Sequence, residues 1–166
     1  MESLKEQVAE YKKQLKKGNI QAAYKGLMEY LMSVRSNFAS KYPNYFVSGS
    51  IYQGYMDMTY FSFTPESLKS KKLRIAIVLI HNTVRFEVWL VGYNKQIQTK
   101  YWKLFKGKNW NMYHIPSSTK GVDSIAEYIL TNNPDFSNLD ALTKQIESGA
   151  LKFIEDIENF LAENLN

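Results

Sequence analysis

The chain has 166 residues, 45% of them apolar and 14% aromatic, with a formal net charge of +5. That length fits one domain around a single core, and that composition excludes a disordered chain. There is no cysteine and there are only two histidines, His81 and His114, which rules out disulfides and thiolate chemistry and leaves little for a zinc site.

Charge is spread unevenly. Residues 1–41 carry 8 Lys/Arg against 4 Asp/Glu (+4), residues 42–120 carry 11 against 3 (+8), and residues 121–166 carry 2 against 9 (−7). One reading folds the acidic C-terminal helices back on the basic centre. The other lets the basic centre meet nucleic acid or another polyanion. The opening MESLKEQVAEYKK has no apolar signal-peptide core, and the longest apolar run, Ile75 to Ile80, is far below the roughly 20 residues of a membrane helix. The expectation is a soluble cytoplasmic protein without a membrane association.

Ser3 and Glu6 form the pattern of a capping box for a first helix, with Leu4, Val8, Tyr11 and Leu15 on one face. Gly18-Asn19 ends it, and Asn19 can cap the next. In that second helix Ile20, Ala23, Tyr24, Leu27, Leu31, Val34 and Phe38 keep a helical period for five turns. The short join predicts an antiparallel helical hairpin over 1–41, its KKQLKK lysines on a solvated face. Tyr42-Pro43-Asn44 ends it, because proline disfavours helix in the residue before it.

From Tyr45 the chain turns aromatic and β-favouring. Alternation puts Tyr55, Asp57, Thr59, Phe61 and Phe63 on one face and Met56, Met58, Tyr60 and Ser62 on the other, with Gly49 and Gly54 marking a bulge or turn. Two strands follow, LRIAIVLI and VRFEVWLV. Both faces of the first are apolar, which predicts an interior strand covered on both sides. A two- or four-residue connection places Arg85, Glu87 and Trp89 on the face of Arg74, Ala76, Val78 and Ile80; a three-residue connection reverses this.

Asn94 can cap a helix to about Lys106 with Ile97, Tyr101, Leu104 and Phe105 inward. Trp102 then lies about 140° from Ile97, outside that stripe, where either the acidic tail or a partner could cover it. Residues 107–120 read as a loop, Val122–Leu130 as a helix stopped by Asn132-Asn133-Pro134, and the stretch after Asn138 as one helix of about 40 Å. The sum is an α+β domain, 1–166. It comprises a helical hairpin (1–41), an antiparallel sheet of about four strands (45–92) and C-terminal helices packed on the sheet (94–165).

The stretches YQGYMDMTYFSF (Tyr52–Phe63) and RFEVWLVGYNKQIQTKYW (Arg85–Trp102) resemble a prokaryotic family of small uncharacterised proteins, a domain of unknown function. The resemblance covers most of the chain. It implies a free-standing cytoplasmic protein of mixed fold and transfers no catalytic residue.

No nucleophile elbow, P-loop, dinucleotide fingerprint or H-E-x-x-H is present. SSTKG at 117–121 could offer backbone N–H groups to an anion. Asp57, Arg74, Arg85, Glu87 and Trp89 are polar or amphipathic groups in predicted strands. As a functional set, Asp57 and Glu87 are similar to the two acids of a restriction-nuclease core that hold a divalent metal, but Trp89 stands where its lysine belongs. As a structural set, they are cross-strand ion pairs that specify register. Tyr93, Lys95, Lys100, Tyr101 and Trp102 could stack bases and bind phosphates. The function expected is a non-enzymatic ligand-binding or accessory module. Its site is drawn from Asp57, Arg74, Arg85, Glu87, Trp89, Tyr93, Lys95 and Trp102, and its partner is a small molecule or protein. No cofactor, metal or catalytic residue is implied. The alternative is a nucleic-acid-binding or divergent nuclease-like protein using the basic centre.

Overall fold

A computed structural model describes residues 2–165. Two helices, α1 (Leu4–Leu15) and α2 (Asn19–Lys41), precede a five-stranded sheet made of β1 (Phe46–Val47), β2 (Met58–Thr64), β3 (Leu73–Ile80), β4 (Arg85–Gly92) and β5 (Ser124–Thr131). A short α3 (Glu66–Lys69) links β2 to β3, α4 (Lys95–Gly107) links β4 to β5, and α5 (Leu139–Asn164) follows the sheet. Strand order follows the chain and every neighbouring pair is antiparallel, so the sheet is a meander. The architecture is α+β.

Period-two alternation sorts the three central strands into two faces. Thr59, Phe61, Phe63, Ile75, Ile77, Leu79, Phe86, Val88 and Leu90 form the first, and none is more than 1% exposed. Two helices cover it. From α2, Phe38 meets Phe61 and Phe63 at ring-centroid distances of 5.9 and 4.8 Å, and Tyr30 meets Phe86 edge-on at 5.9 Å. From α5, the inward stripe runs Leu142, Ile146, Ala150, Phe153, Ile157 and Leu161, all buried. Phe105 of α4 stacks on Phe160 of α5 at 4.3 Å.

The second face carries Met58, Tyr60, Ser62, Arg74, Ala76, Val78, Arg85, Glu87 and Trp89. Ile80 pairs with Arg85 and Ala76 with Trp89, so the connection is the four-residue His81–Val84. That choice puts the charges and the indole on the side away from the core. The turn holds Val84 at φ 48°, a conformation a β-branched residue adopts only under strain.

Two expectations need correction. The sheet has five strands rather than four, because 124–131 is a strand where a helix was expected over 122–130. Register shifts at Phe86/Glu87 and Leu90/Val91 leave both Ile125 and Ala126 buried, which breaks the alternation and mimics a helical spacing. The free edge of β4 then decides the matter. In the N-terminal helical pair, the α1 stripe is not in the core: Leu4, Val8 and Tyr11 are 75, 53 and 60% exposed and α1 buries nothing. β3 lies in the middle of the sheet, yet no helix is laid over its second face. Among the described residues, the ion pairs made by α5 join Glu147 to Lys41 and Asp156 to Lys152 of its own helix.

Candidate functional site

On the uncovered face the sheet holds a cleft of about 340 Å³. Its floor is made of small side chains, Ser62, Ala76 and Val78, contributed by β2 and β3. Its walls are large: Tyr60 from β2, Arg74 from β3 and Trp89 from β4. Ser62 pairs with Ala76 and Ala76 with Trp89, so the concavity arises from small residues in register between large ones. Val78 is 0% exposed although no helix covers it; its tall neighbours on the same face do the shielding. The floor is therefore apolar and the rim polar, the usual make-up of a ligand site.

Arg74 is the least satisfied group in the cleft. Its Nε is the one buried side-chain nitrogen or oxygen without a hydrogen-bond partner among the described residues, and no ion pair reaches it. Its guanidinium lies over the Tyr93 ring at 5.2 Å, a cation–π contact that fixes the plane without using any N–H. Glu87 is the opposite case. It is 3% exposed, and it accepts from Arg85 Nε at 2.7 Å and from Trp89 Nε1 at 2.9 Å. Both carboxylate oxygens are used, and the indole is held in place.

The cleft is closed at one end by the start of α4. Gly92 makes this possible: a Cβ there would sit 2.5 Å from the backbone nitrogen of Gln98. Asn94 caps the helix by accepting from Ile97 N at 2.9 Å. Lys95 donates through Nζ to the carbonyls of Thr119 and Val122, which ties the loop before β5 to this end. A second groove of about 500 Å³ adjoins the cleft. Phe46, Thr64, Lys69, Lys72 and Leu73 line it together with Arg74 and Tyr93, the two residues both concavities share.

Of the residues singled out from sequence, Arg74, Trp89, Tyr93 and Lys95 line the cleft, and Arg85 and Glu87 share its sheet face. Asp57 does not join them. It lies in the turn before β2, where its carboxylate accepts from Tyr55 N at 2.9 Å and the backbone amides of Tyr55 and Met58 hold its pKa below the usual value. Trp102 is also elsewhere. It packs against the core and donates to the Pro116 carbonyl at 2.7 Å, so the 107–120 loop covers it rather than the acidic tail. Sequence reasoning missed Tyr60, Ser62, Asn94, Gln98 and Asp123 as lining residues. The alternation had put Tyr60 and Ser62 on this face; the missing signal was which face stays uncovered.

Other polar clusters are structural. His81 shares a 2.8 Å hydrogen bond with the fully buried Thr59 and stacks on Tyr24 at 5.7 Å. Burial pushes the His81 pKa down, against the pull of Asp57, and no substrate can approach the Thr59 hydroxyl. Tyr42 donates to Glu147, which also pairs with Lys41 at 2.5 Å; burial and that carboxylate push the Tyr42 hydroxyl up to about 12. Tyr113 donates to Asp156 at 2.6 Å. Among the described residues, no group of three or more His, Asp or Glu is placed to hold a metal.

A family model, Domain of unknown function (DUF7000), matches residues 4–161. The chain belongs to that family. No curated protein and no solved structure matches it. The DUF7000 match spans every element from α1 into α5, so the cleft lies wholly within the family's domain.

Proposed function

We propose that the protein is a non-catalytic ligand-binding module whose site is the cleft on the uncovered sheet face. The observation that carries this reading is Arg74, which lines the cavity while its buried Nε has no hydrogen-bond partner. Leaving a buried donor unpaired costs about 1–3 kcal/mol, and a ligand acceptor that draws the guanidinium toward the cleft relieves that cost. Binding is favoured over hydrolysis because Glu87, the buried carboxylate of this sheet face, is fully engaged by Arg85 and Trp89. Lack of cysteine suits a cytoplasmic setting, and no described helix is long and apolar enough to cross a membrane.

The test is a thermal-shift screen of nucleotides, acyl and sugar compounds and divalent metals at two salt concentrations. A compound that raises the melting temperature of the native chain, but not of Trp89→Leu, supports the reading. A screen in which no compound shifts it removes the reading. A second reading, nucleic-acid binding, is favoured by central cations that make no ion pair among the described residues, among them the exposed Lys100, Lys103 and Lys106 of α4. Oligonucleotide affinity that falls steeply with salt identifies that case.

A further inference from the structure

Resting on the binding reading above, we infer that the occupant is a nucleoside phosphate. Its planar ring lies over Ala76 between Tyr60 and Trp89, and its phosphate reaches past Arg74 into the groove of Lys69 and Lys72.

The argument starts from how the two concavities meet. Arg74 and Tyr93 belong to both linings, so a ligand filling one has a continuous path into the other. The two linings are chemically unlike. In the cleft, a floor of small side chains lies between an indole and a phenol. Tyr60 is backed by Tyr52 at 5.0 Å and Trp89 is pinned by Glu87 at 2.9 Å, so both rings are held before anything binds. A flat, π-faced group gains most from such rigid walls.

The groove supplies charge. Lys69, Lys72, Arg74 and Lys95 border the two concavities, and Asp123 is the one acid on either lining. None of the four cations has an acidic partner among the described residues. Lys69 instead lies over the Phe46 ring at 5.0 Å, and Lys95 is tied to carbonyls, which hold its charge at the mouth without neutralising it. An excess of cations over one cavity selects a multiply charged anion. A single carboxylate would engage Arg74 and leave the lysines idle, whereas a phosphate or diphosphate can accept from the guanidinium and from both lysines at once. The first turn of α4 adds its positive end on the cleft side of Arg74.

The experiment is isothermal titration of the full chain with adenosine diphosphate, adenosine, inorganic pyrophosphate and a short oligodeoxyadenylate. The three tryptophan indole N–H resonances are followed in parallel. Trp89 lines the cleft; Trp102 and Trp110 pack in the core and serve as controls. The expected result is that adenosine diphosphate binds, shifts Trp89 alone, and binds about tenfold more tightly than adenosine or pyrophosphate. The double substitution Lys69→Gln/Lys72→Gln, at two exposed positions, lowers the diphosphate affinity about tenfold and leaves adenosine unchanged. Arg74→Lys, which keeps the charge and loses the planar fork, lowers it too. The inference is overturned if adenosine binds as tightly as its diphosphate, if the lysine pair makes no difference, or if only the oligonucleotide binds. If another compound from the screen shifts Trp89 while all four probes are silent, the ligand class is wrong and the cleft stands. If nothing shifts Trp89, the binding reading falls with it.

Discussion

The two faces of the sheet are built from alternate residues of the same strands and have opposite fates. On the covered face Phe61, Ile77 and Val88 stand in register across three strands, sealed by α2 and α5. One residue along, Ser62, Ala76 and Trp89 stand in register on the other face, where they border the cleft. The covered face is apolar apart from Thr59, whose hydroxyl is hydrogen-bonded to His81, so it packs to a dry core. The open face mixes small with large and apolar with charged, so it leaves a hollow. A strand with two apolar faces therefore need not be covered twice: the shielding of Val78 comes from its tall neighbours.

The sharpest way to test the contrast is to cut one large ring from each face. Phe38→Ala opens a void against Phe61 and Phe63 and should cost about 3–5 kcal/mol in urea unfolding. Trp89→Leu on the open face should cost far less, under about 1.5 kcal/mol, while removing ligand response. Equal losses would mean that the open face is also a core. Next in size, Gly92→Ala forces a Cβ toward the backbone of Gln98, which should cost about 1–3 kcal/mol and displace Tyr93 and Lys95 from the cleft's end.

The pH dependence probes the seal of the covered face. Tyr42 has a folded pKa raised from 10.0 to about 12 by burial and by Glu147. Its contribution is therefore whole below pH 10 and is lost as pH rises through 12. In Glu147, burial pushes the carboxyl pKa up, but the hydrogen bonds from Lys41 and Tyr42 together hold it below its usual value. Its contribution is present above the ordinary carboxylate range and fades as pH falls through the lowered value. Melting temperature against pH should show both limbs, and Tyr42→Phe should flatten the alkaline one.

Val84→Gly, at the hairpin tip, relieves a positive φ and should stabilise by up to about 1 kcal/mol without altering either face. The smallest effect belongs to α1: Leu4→Ser at an exposed site should change stability by less than about 0.5 kcal/mol. A large loss there would show that the stripe is buried in solution against something the single chain does not supply.

Much of the fold was legible because local signals agreed with the tertiary ones. The α2 stripe from Leu31 through Phe38, the hairpin alternation and the unbroken phase of α5 each encode a buried face directly. What stayed hidden were features set by distant partners. β5 reads as a helix because two bulges erase its alternation, and only the open edge of β4 reveals it. The α1 stripe reads as an amphipathic face, and spacing does not record what meets it. For the site, Arg74, Trp89, Tyr93 and Lys95 could be picked out as polar or aromatic groups inside predicted apolar elements. Asp57 and Trp102 satisfied the same rule and lie elsewhere, since residue type does not tell which loop closes over a side chain.

The meander has a consequence for how the chain assembles. Every strand pair joins neighbours along the sequence, so each successive ladder closes a comparatively short loop, and the sheet can grow from the β3–β4 turn outward at low entropic cost. The bonds that join the two ends of the molecule are of another kind: Tyr30 meets Thr143 at 3.0 Å across 113 residues, and Tyr42 meets Glu147 across 105. Those contacts close last. Amide exchange should accordingly be slowest in β3 and β4 and should detect the departure of α5 as a separate, earlier opening, with the hollow of the uncovered face still formed beneath it.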